Sequence, residues 1–265
     1  MTRLSICIAT IDDRIEHLRL PEQQQPDSIE WIVIHQITDT TDYSAFYATH
    51  PHVQFHTMQG KGLSRSRNAA LQLATGEWIY LCDDDITLSA ELLSILESAA
   101  AHWPDAAILT FQLRTPGGAF FKNYPQAPML HHQRSIGGVS SGEIILRKKA
   151  VDQGAVRFDE RFGLGANFIS GEEYLMLRHA MREGIPIAFY PAAIGTHPEN
   201  STGTNFTPAL VQSKGAIIAT TYGHACWMLN FLYAIRKHPV YRHQLGFFAF
   251  LKYIYSGSRA YFNGR

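Results

Sequence analysis

Cysteine is scarce. The 265 residues hold three, Cys7, Cys82 and Cys226, odd in number and far apart. That excludes a disulfide scaffold, and the lack of any CxxC or Cys/His spacing excludes a structural zinc site. Cys7 and Cys82 fall inside apolar, strand-like runs, as buried thiols of a reducing compartment do. An excess of either charge is also lacking: 23 Lys and Arg balance 23 Asp and Glu. No overall basic field therefore favours nucleic acid, and the local clusters at Arg65/Arg67 and Arg147-Lys148-Lys149 are short. Long apolar runs are missing as well. Residues 4–9 are too few for a signal peptide. Residues 215–235 approach a spanning length but are interrupted by Thr220, Thr221, His224 and Asn230. These absences lead us to expect a cytoplasmic protein. With 46% hydrophobic and 17% charged residues, it is a folded one.

What is present is organised around Trp78-Ile79-Tyr80-Leu81-Cys82-Asp83-Asp84-Asp85-Ile86. The apolar half reads as a short buried strand, with three carboxylates where it should emerge at its C-terminal end. In open α/β sheets that end is where ligands bind. Adjacent carboxylates repel and need a cation or strong donors to stay charged. Alternation along an extended chain puts Asp83 and Asp85 on one side and Asp84 on the other. Asp83 and Asp85 could then share a hard cation, Mg2+ or Mn2+, with phosphate oxygens completing its shell. The same triplet also reads as a solvated turn before a helix starting near Ser89.

Other blocks flank it: Gly60-Lys61-Gly62-Leu63-Ser64-Arg65-Ser66-Arg67-Asn68, then Ala74-Thr75-Gly76, and later Phe158-Asp159-Glu160-Arg161-Phe162-Gly163-Leu164-Gly165 followed by Glu172-Glu173. In order and spacing they resemble the inverting glycosyltransferases of family 2. Those have a Gly-x-Ser-x-x-Arg-Asn helix start, an Ala-x-Gly turn, an Asp-x-Asp strand end and a Phe-Asp-Glu-x-Phe-Gly-x-Gly block. The resemblance covers residues 4–201. It implies the GT-A fold, an α/β architecture with a Rossmann-like, mainly parallel sheet flanked by helices. A nucleotide-sugar half (about 1–112) and an acceptor half (113–207) would precede C-terminal helices (208–265). It implies a nucleotide-diphosphate sugar donor, a UDP-sugar by preference, and a saccharide or lipid-linked acceptor. Mn2+ or Mg2+ would be the cofactor, and polysaccharide or glycolipid synthesis the setting.

Residue by residue, the resemblance implies donor contacts from Thr10, Asp12 and Arg14 after the first strand and from Asp83 and Asp84, while the anion-favouring amides of the helix start would put Lys61 and Arg65 near the diphosphate. Asp12 or Asp13 reads equally as a helix N-cap, and Lys61 and Arg65 as solvated charges. The acid that the family places after its second strand is missing from His35-Gln36-Ile37-Thr38-Asp39, with Gln36 or Asp39 left to substitute. Asp85, with Asp83 and His197, would hold the metal, although a lone histidine also reads as structural. The second member of the family's Glu-Asp pair is the general base. By position that is Glu173, with Glu172 beside it, and either also suits a first helical turn. Arg67 would pair with carboxylates near the strand ends.

Strands are expected over residues 29–35, 53–58, 106–113 and 139–147, with an edge strand over 187–191. Helices are expected over 15–20, 64–74, 89–102, 148–153 and 170–183. Residues 115–138, rich in Gly, Pro, His and Gln, read as a mobile loop or acceptor-binding flap, with His131 and His132 as loop residues. Beyond residue 208, two aromatic-rich helices (215–235 and 246–261) are separated by Arg236-Lys237-His238. Their aromatics suit packing on the core, a homodimer contact, or peripheral contact with the inner face of a membrane. Two rivals to a glycosyltransferase remain. A nucleotidyltransferase would want glycine in the turn Thr10–Arg14, which has none. A catalytically silent sugar- or lipid-binding scaffold is supported only by the missing acid.

Overall fold

The computed structural model describes residues 3–21, 27–198 and 206–264. The chain divides into two compact units. The first comprises Met1–Lys61, Arg65–Phe158 and Met176–Glu199, and the second Gly62–Ser64, Asp159–Leu175 and Asn200–Arg265.

The first unit is built on a sheet that starts with β1 (Leu4–Ile11) and β2 (Ile29–Ile37), followed by α1 (Ser44–Ala48) and β3 (Val53–Gln59). Next come α2 (Leu63–Leu73), β4 (Trp78–Asp83), β5 (Thr87–Leu88), α3 (Leu92–His102) and β6 (Ile108–Arg114). The strands β7 (Met129–Leu130) and β8 (Ile144–Arg147), α4 (Lys148–Asp152), the part of α5 (Glu172–Arg182) from Met176 onward and β9 (Ile187–Thr196) complete it. The strand order is β3-β2-β1-β4-β8-β6-β9-β5, with β7 also on β9. β3, β2, β1 and β4 are parallel. Such strands are covered on both faces, which is why they read as near-continuous apolar runs. Leu4, Ile6, Ile8, Trp78, Tyr80 and Cys82 join one core with Leu92, Leu96 and Phe111. On the opposite face the Cys7 thiol lies against the Ala70 carbonyl of α2. After β3 the chain passes back beyond β2 and β1 to reach β4, so the winding reverses between β1 and β4. Ligands of open α/β sheets bind at that switch point, beyond the carboxyl ends of the strands. Ala9 is paired with Asp83 there, which brings Thr10 beside the acidic triplet.

Several elements depart from the sequence reading. Residues 15–20 form no α-helix; a 3-10 turn over Asp12–His17 takes their place. The edge strand expected over 187–191 is instead β9, ten residues long and flanked by β6 on one side and by β5 and β7 on the other. The β6–β9 register shifts between Thr110 and Gln112, opposite Pro191, so the irregularity accommodates a residue without an N–H. Of the strand expected over 139–147, only the end is extended. Ser141–Glu143 is a 3-10 turn closed by a capping box between Ser140 and Glu143. The loop before it is tethered: Lys122 pairs with Glu143 at 2.7 Å, and the Tyr124 hydroxyl donates to Glu143 at 2.8 Å while accepting from the Leu113 amide.

The second unit holds three C-terminal helices where two were expected: α6 (Pro208–Tyr222), α7 (Cys226–Tyr241) and α8 (Phe247–Phe262). Thr207 caps α6 ahead of Pro208, and Gly223, at φ 56°, ends it. Arg236-Lys237-His238 lies inside α7 and separates nothing. Val211, Ala234, Tyr241, Phe250 and Ile254 form the core of these helices, with Tyr241 stacked on Phe250 at 3.8 Å. α6 and α8 touch backbone to backbone, because Cβ atoms added at Gly215 or Gly257 would lie 1.9 Å from the Ile254 or Gln212 carbonyl oxygen.

Candidate active site

At the switch point the three carboxylates take three directions. β4 ends at Asp83 and a turn follows, with the Ile86 amide donating to the Asp83 carbonyl. The alternation expected of an extended strand therefore stops there. Asp83 Oδ1 accepts from Nη2 of the buried Arg67 at 2.9 Å, and its Oδ2 accepts from the Ser141 hydroxyl at 2.6 Å. Asp84 Oδ2 accepts from Thr10 Oγ1 at 3.1 Å, and its other oxygen pairs with Arg14. Burial pushes the Asp84 carboxyl above its ordinary range, opposed by Arg14 and by the Thr10 hydrogen bond. Asp85 is turned toward His197, with Oδ1 3.5 Å from Nε2. The other ring nitrogen of His197 lies 2.6 Å from the Pro198 carbonyl oxygen. That contact suits a donating Nδ1. A histidine oriented by a backbone carbonyl and placed next to a carboxylate is a donor set that divalent cations use. Among the described residues no three His, Cys, Asp or Glu side chains form a ready-made metal cluster. A cation at Asp85 and His197 would draw its other ligands from the substrate. A cleft of about 320 Å³ opens here, lined by Arg14, His17, Arg19, Asp84, Asp85, Ile86 and Pro198.

The remaining donor-side candidates lie around the ends of β1, β2 and β3. Asp12, at φ 47°, caps no helix; both of its oxygens accept from Thr38, from the amide and the hydroxyl, each at 2.6 Å. These bonds hold the Asp12 carboxyl below its usual range. His35 bridges the same corner, from the Tyr47 hydroxyl at 2.7 Å to the Asp12 carbonyl at 2.9 Å. Gln36 is buried within β2, paired in register with Ile11. Asp39 is exposed and folds back onto Thr41 and the Tyr43 hydroxyl. Lys61 is exposed in the turn before α2. Arg65 donates to the Gln59 carbonyl at 3.0 Å, at the end of β3.

In the second unit, Glu172 and Glu173 open α5. Glu172 is buried, and a Cβ added to Gly163 would lie 3.4 Å from its Oε1 and 3.0 Å from Ser64 Oγ. Gly163 stands at φ 105°, and the Ser64 hydroxyl donates to the neighbouring Phe162 carbonyl at 2.6 Å. Glycine at 163 is thus required twice, by the backbone and by the space. Glu173 is only partly covered. Lys214 of α6 feels both carboxylates; burial lowers its pKa and the two glutamates oppose the shift.

Ser141, Glu143, Lys122 and Tyr124 escaped the sequence reading. The Ser140-x-x-Glu143 spacing of a capping box was the available signal for the first two. Nothing local marks the other two as partners of Glu143.

The pattern described as "Glycosyl transferase family 2" matches residues 20–153, half of the chain. The chain belongs to glycosyl transferase family 2. The match includes β2 to β4, α2 and the whole acidic triplet. No curated protein matches the chain. Among solved structures, residues 1–349 of S. aureus TarS superpose with a TM-score of 0.55 at 15% identity, covering 99% of this chain and 92% of that one. The same TarS fragment in complex with UDP-GlcNAc gives a TM-score of 0.51 at 14% identity and the same coverage. In complex with UDP it gives 0.52 at 14% identity. These likenesses establish a shared GT-A-like fold. Together with the family match they make the chain a glycosyltransferase.

Proposed function

We propose that this glycosyltransferase moves a sugar from a nucleotide-diphosphate sugar to an acceptor hydroxyl, with inversion at the anomeric carbon. The observation that carries the reading is the acidic triplet at the β1/β4 switch point, with Asp85 facing His197 across 3.5 Å. A UDP-sugar is the favoured donor, supported by the likeness to a TarS structure that contains UDP-GlcNAc. Asp85 and His197 would hold Mn2+ or Mg2+, which when bound supplies positive charge opposite the departing diphosphate. Asp83, gripped by Arg67 and Ser141, fixes the end of β4, and each of its oxygens keeps a further lone pair with which it could join the cation. Thr10 and Arg14 hold Asp84 at the rim of the cleft, where the exposed Arg14 also offers charge to phosphate oxygens. Lys61 lies at the α2 start and could do the same.

Glu173 is the general base of this reading. It accepts the proton of the acceptor hydroxyl as that oxygen attacks the anomeric carbon and the diphosphate leaves. Partial exposure lets it reach an acceptor, whereas Glu172 is buried beside Gly163. The acceptor is a saccharide or a lipid-linked one, and polysaccharide or glycolipid synthesis at the inner face of a membrane is the proposed setting.

The test is a thermal-shift series of nucleoside diphosphates, with and without Mn2+, on the wild type and Asp85→Ala. A ligand that binds only the folded state raises the melting temperature, by about 2.7 kcal/mol of stability at a hundredfold excess over Kd. The expected result is a Mn2+-dependent shift with UDP that Asp85→Ala abolishes. If no nucleotide shifts the wild type, a silent scaffold becomes the better reading.

A further inference from the structure

The balanced charge of the whole chain conceals a sharp division. All 23 acidic residues lie at or before Glu199, and residues 200–265 contain seven Lys and Arg and no acid. The same segment carries most of the large apolar side chains left exposed among the described residues. On α7 these form one stripe: Trp227, Met228, Phe231, Leu232 and Ile235, of which Met228 is 63% and Leu232 51% exposed. At about 100° per residue they span roughly 140° of the helix circumference. Cys226, Asn230 and Ala234 lie on the buried side. Arg236 borders the stripe. Rings of α8 extend the surface, with Phe262 beside Trp227 and Phe247 beside Phe231, and Phe248, 84% exposed, next to Phe247. Arg236, Lys252 and Arg259 are exposed on the same helices, and Arg242 is exposed just past the end of α7. Among the described residues no helix is long and apolar enough to cross a membrane.

We propose that the α7 stripe and its flanking cations form a docking surface for the headgroup layer of an anionic lipid bilayer. Aromatic and aliphatic side chains on one face, ringed by Lys and Arg, are what an interface-lying helix presents to lipid. A patch this continuous is unusual on a monomer that meets only water. Charge selects the occupant. A second copy meeting this face across a two-fold axis would set its own cations against the same cations, with no acid from α6, α7 or α8 to compensate. An anionic bilayer supplies the missing charge and an apolar layer together. The inference concerns where the enzyme sits and holds whatever its sugar.

The test is sedimentation of the full chain with phosphatidylcholine vesicles, plain or with about a third phosphatidylglycerol, alongside light scattering to give its mass in solution. The wild type should sediment with the anionic vesicles at least about tenfold more than with the neutral ones, and release as salt rises. Met228→Ser/Leu232→Ser and Arg236→Glu/Arg242→Glu alter exposed side chains. Each should lose most of the vesicle binding while keeping the wild-type melting temperature and the UDP-induced shift, which separates failed docking from failed nucleotide binding. Wild-type protein that ignores both vesicles, or binds both equally, overturns the proposal. So does a solution dimer that Met228→Ser/Leu232→Ser dissociates without affecting sedimentation, since that assigns the stripe to a second copy.

Discussion

Adjacent glutamates at the start of α5 have unlike surroundings, and the proposed base role falls to only one of them. Glu173 is partly open and Glu172 is enclosed by Gly163. Glu173→Gln should therefore lower kcat about 10²- to 10⁴-fold, the range for losing a general base, while leaving the UDP thermal shift intact. Glu172→Gln should cost far less activity. Steady-state kinetics on the two variants decides it, and the reverse order would move the base role to Glu172. His131 offers a second prediction at this scale. Burial, then repulsion from His132 and Lys122, lowers its pKa from 6.5 to about 4. Its ring nitrogens meet the hydroxyls of Thr110 and Ser135 at 2.8 and 2.9 Å. Between pH 6.5 and 4 the unfolded chain binds a proton here that the folded chain does not. Stability must fall as pH drops through that window, by about 1 kcal/mol once partial exposure is allowed for. Thermal melts should show a shallower acid-side fall in His131→Gln; an unchanged slope would remove His131 from the account.

Elements are locked together here by a few contacts that tolerate little change. The tether of the 115–138 loop is one. Glu143 is buried, and burial raises its pKa against the pull of Lys122. Lys122→Met would strip that carboxylate of its cation, a change that costs about 3–5 kcal/mol when a buried pair is broken. Urea titration should record the loss, and Lys122→Met/Glu143→Gln should recover part of it. The crossing of α6 and α8 is the other. Ser258 donates to the Gly215 carbonyl at 2.8 Å and accepts from the Asn230 amide at 2.8 Å, tying all three C-terminal helices at one level. A methyl group at Gly257 would meet the Gln212 carbonyl, so Gly257→Ala should destabilise by roughly 1–3 kcal/mol, the range for overpacking. A melting temperature equal to the wild type would mean that the helices separate at small cost.

Across the whole molecule, the order of the strands and the distribution of charge carry the two proposals. The reversal of winding between β1 and β4 gathers Thr10, Arg14 and the acidic triplet from segments some 70 residues apart. The proposed donor site is therefore a property of topology rather than of any one loop. The charge division acts on the molecule as a unit, and the salt-dependent vesicle binding predicted above belongs to this scale.

Local signals made much of this legible in the sequence. Parallel, doubly covered strands must be apolar along their length, so β1, β2 and β4 announced themselves. The Gly60–Asn68 block and the acidic triplet announced the family for the same reason, because backbone turns and clustered charge require particular residue types wherever they occur. Long-range partnerships were not legible. The Arg67 pairing with a strand-end carboxylate and the His197 place beside Asp85 were expected only through the family resemblance, and nothing near Asp83 specifies Ser141. Alternation along an extended chain paired Asp83 with Asp85, yet β4 stops at Asp83 and the turn sends the three carboxylates apart. The number of C-terminal helices likewise followed from Thr207, Pro208 and Gly223, and from two glycines that let α6 and α8 touch. Composition and periodicity determine most of the long elements of the sheet unit, because those are fixed by neighbours within a turn or a strand. Which side chains converge on the site was decided only by tertiary packing, because that depends on surfaces far apart in the chain.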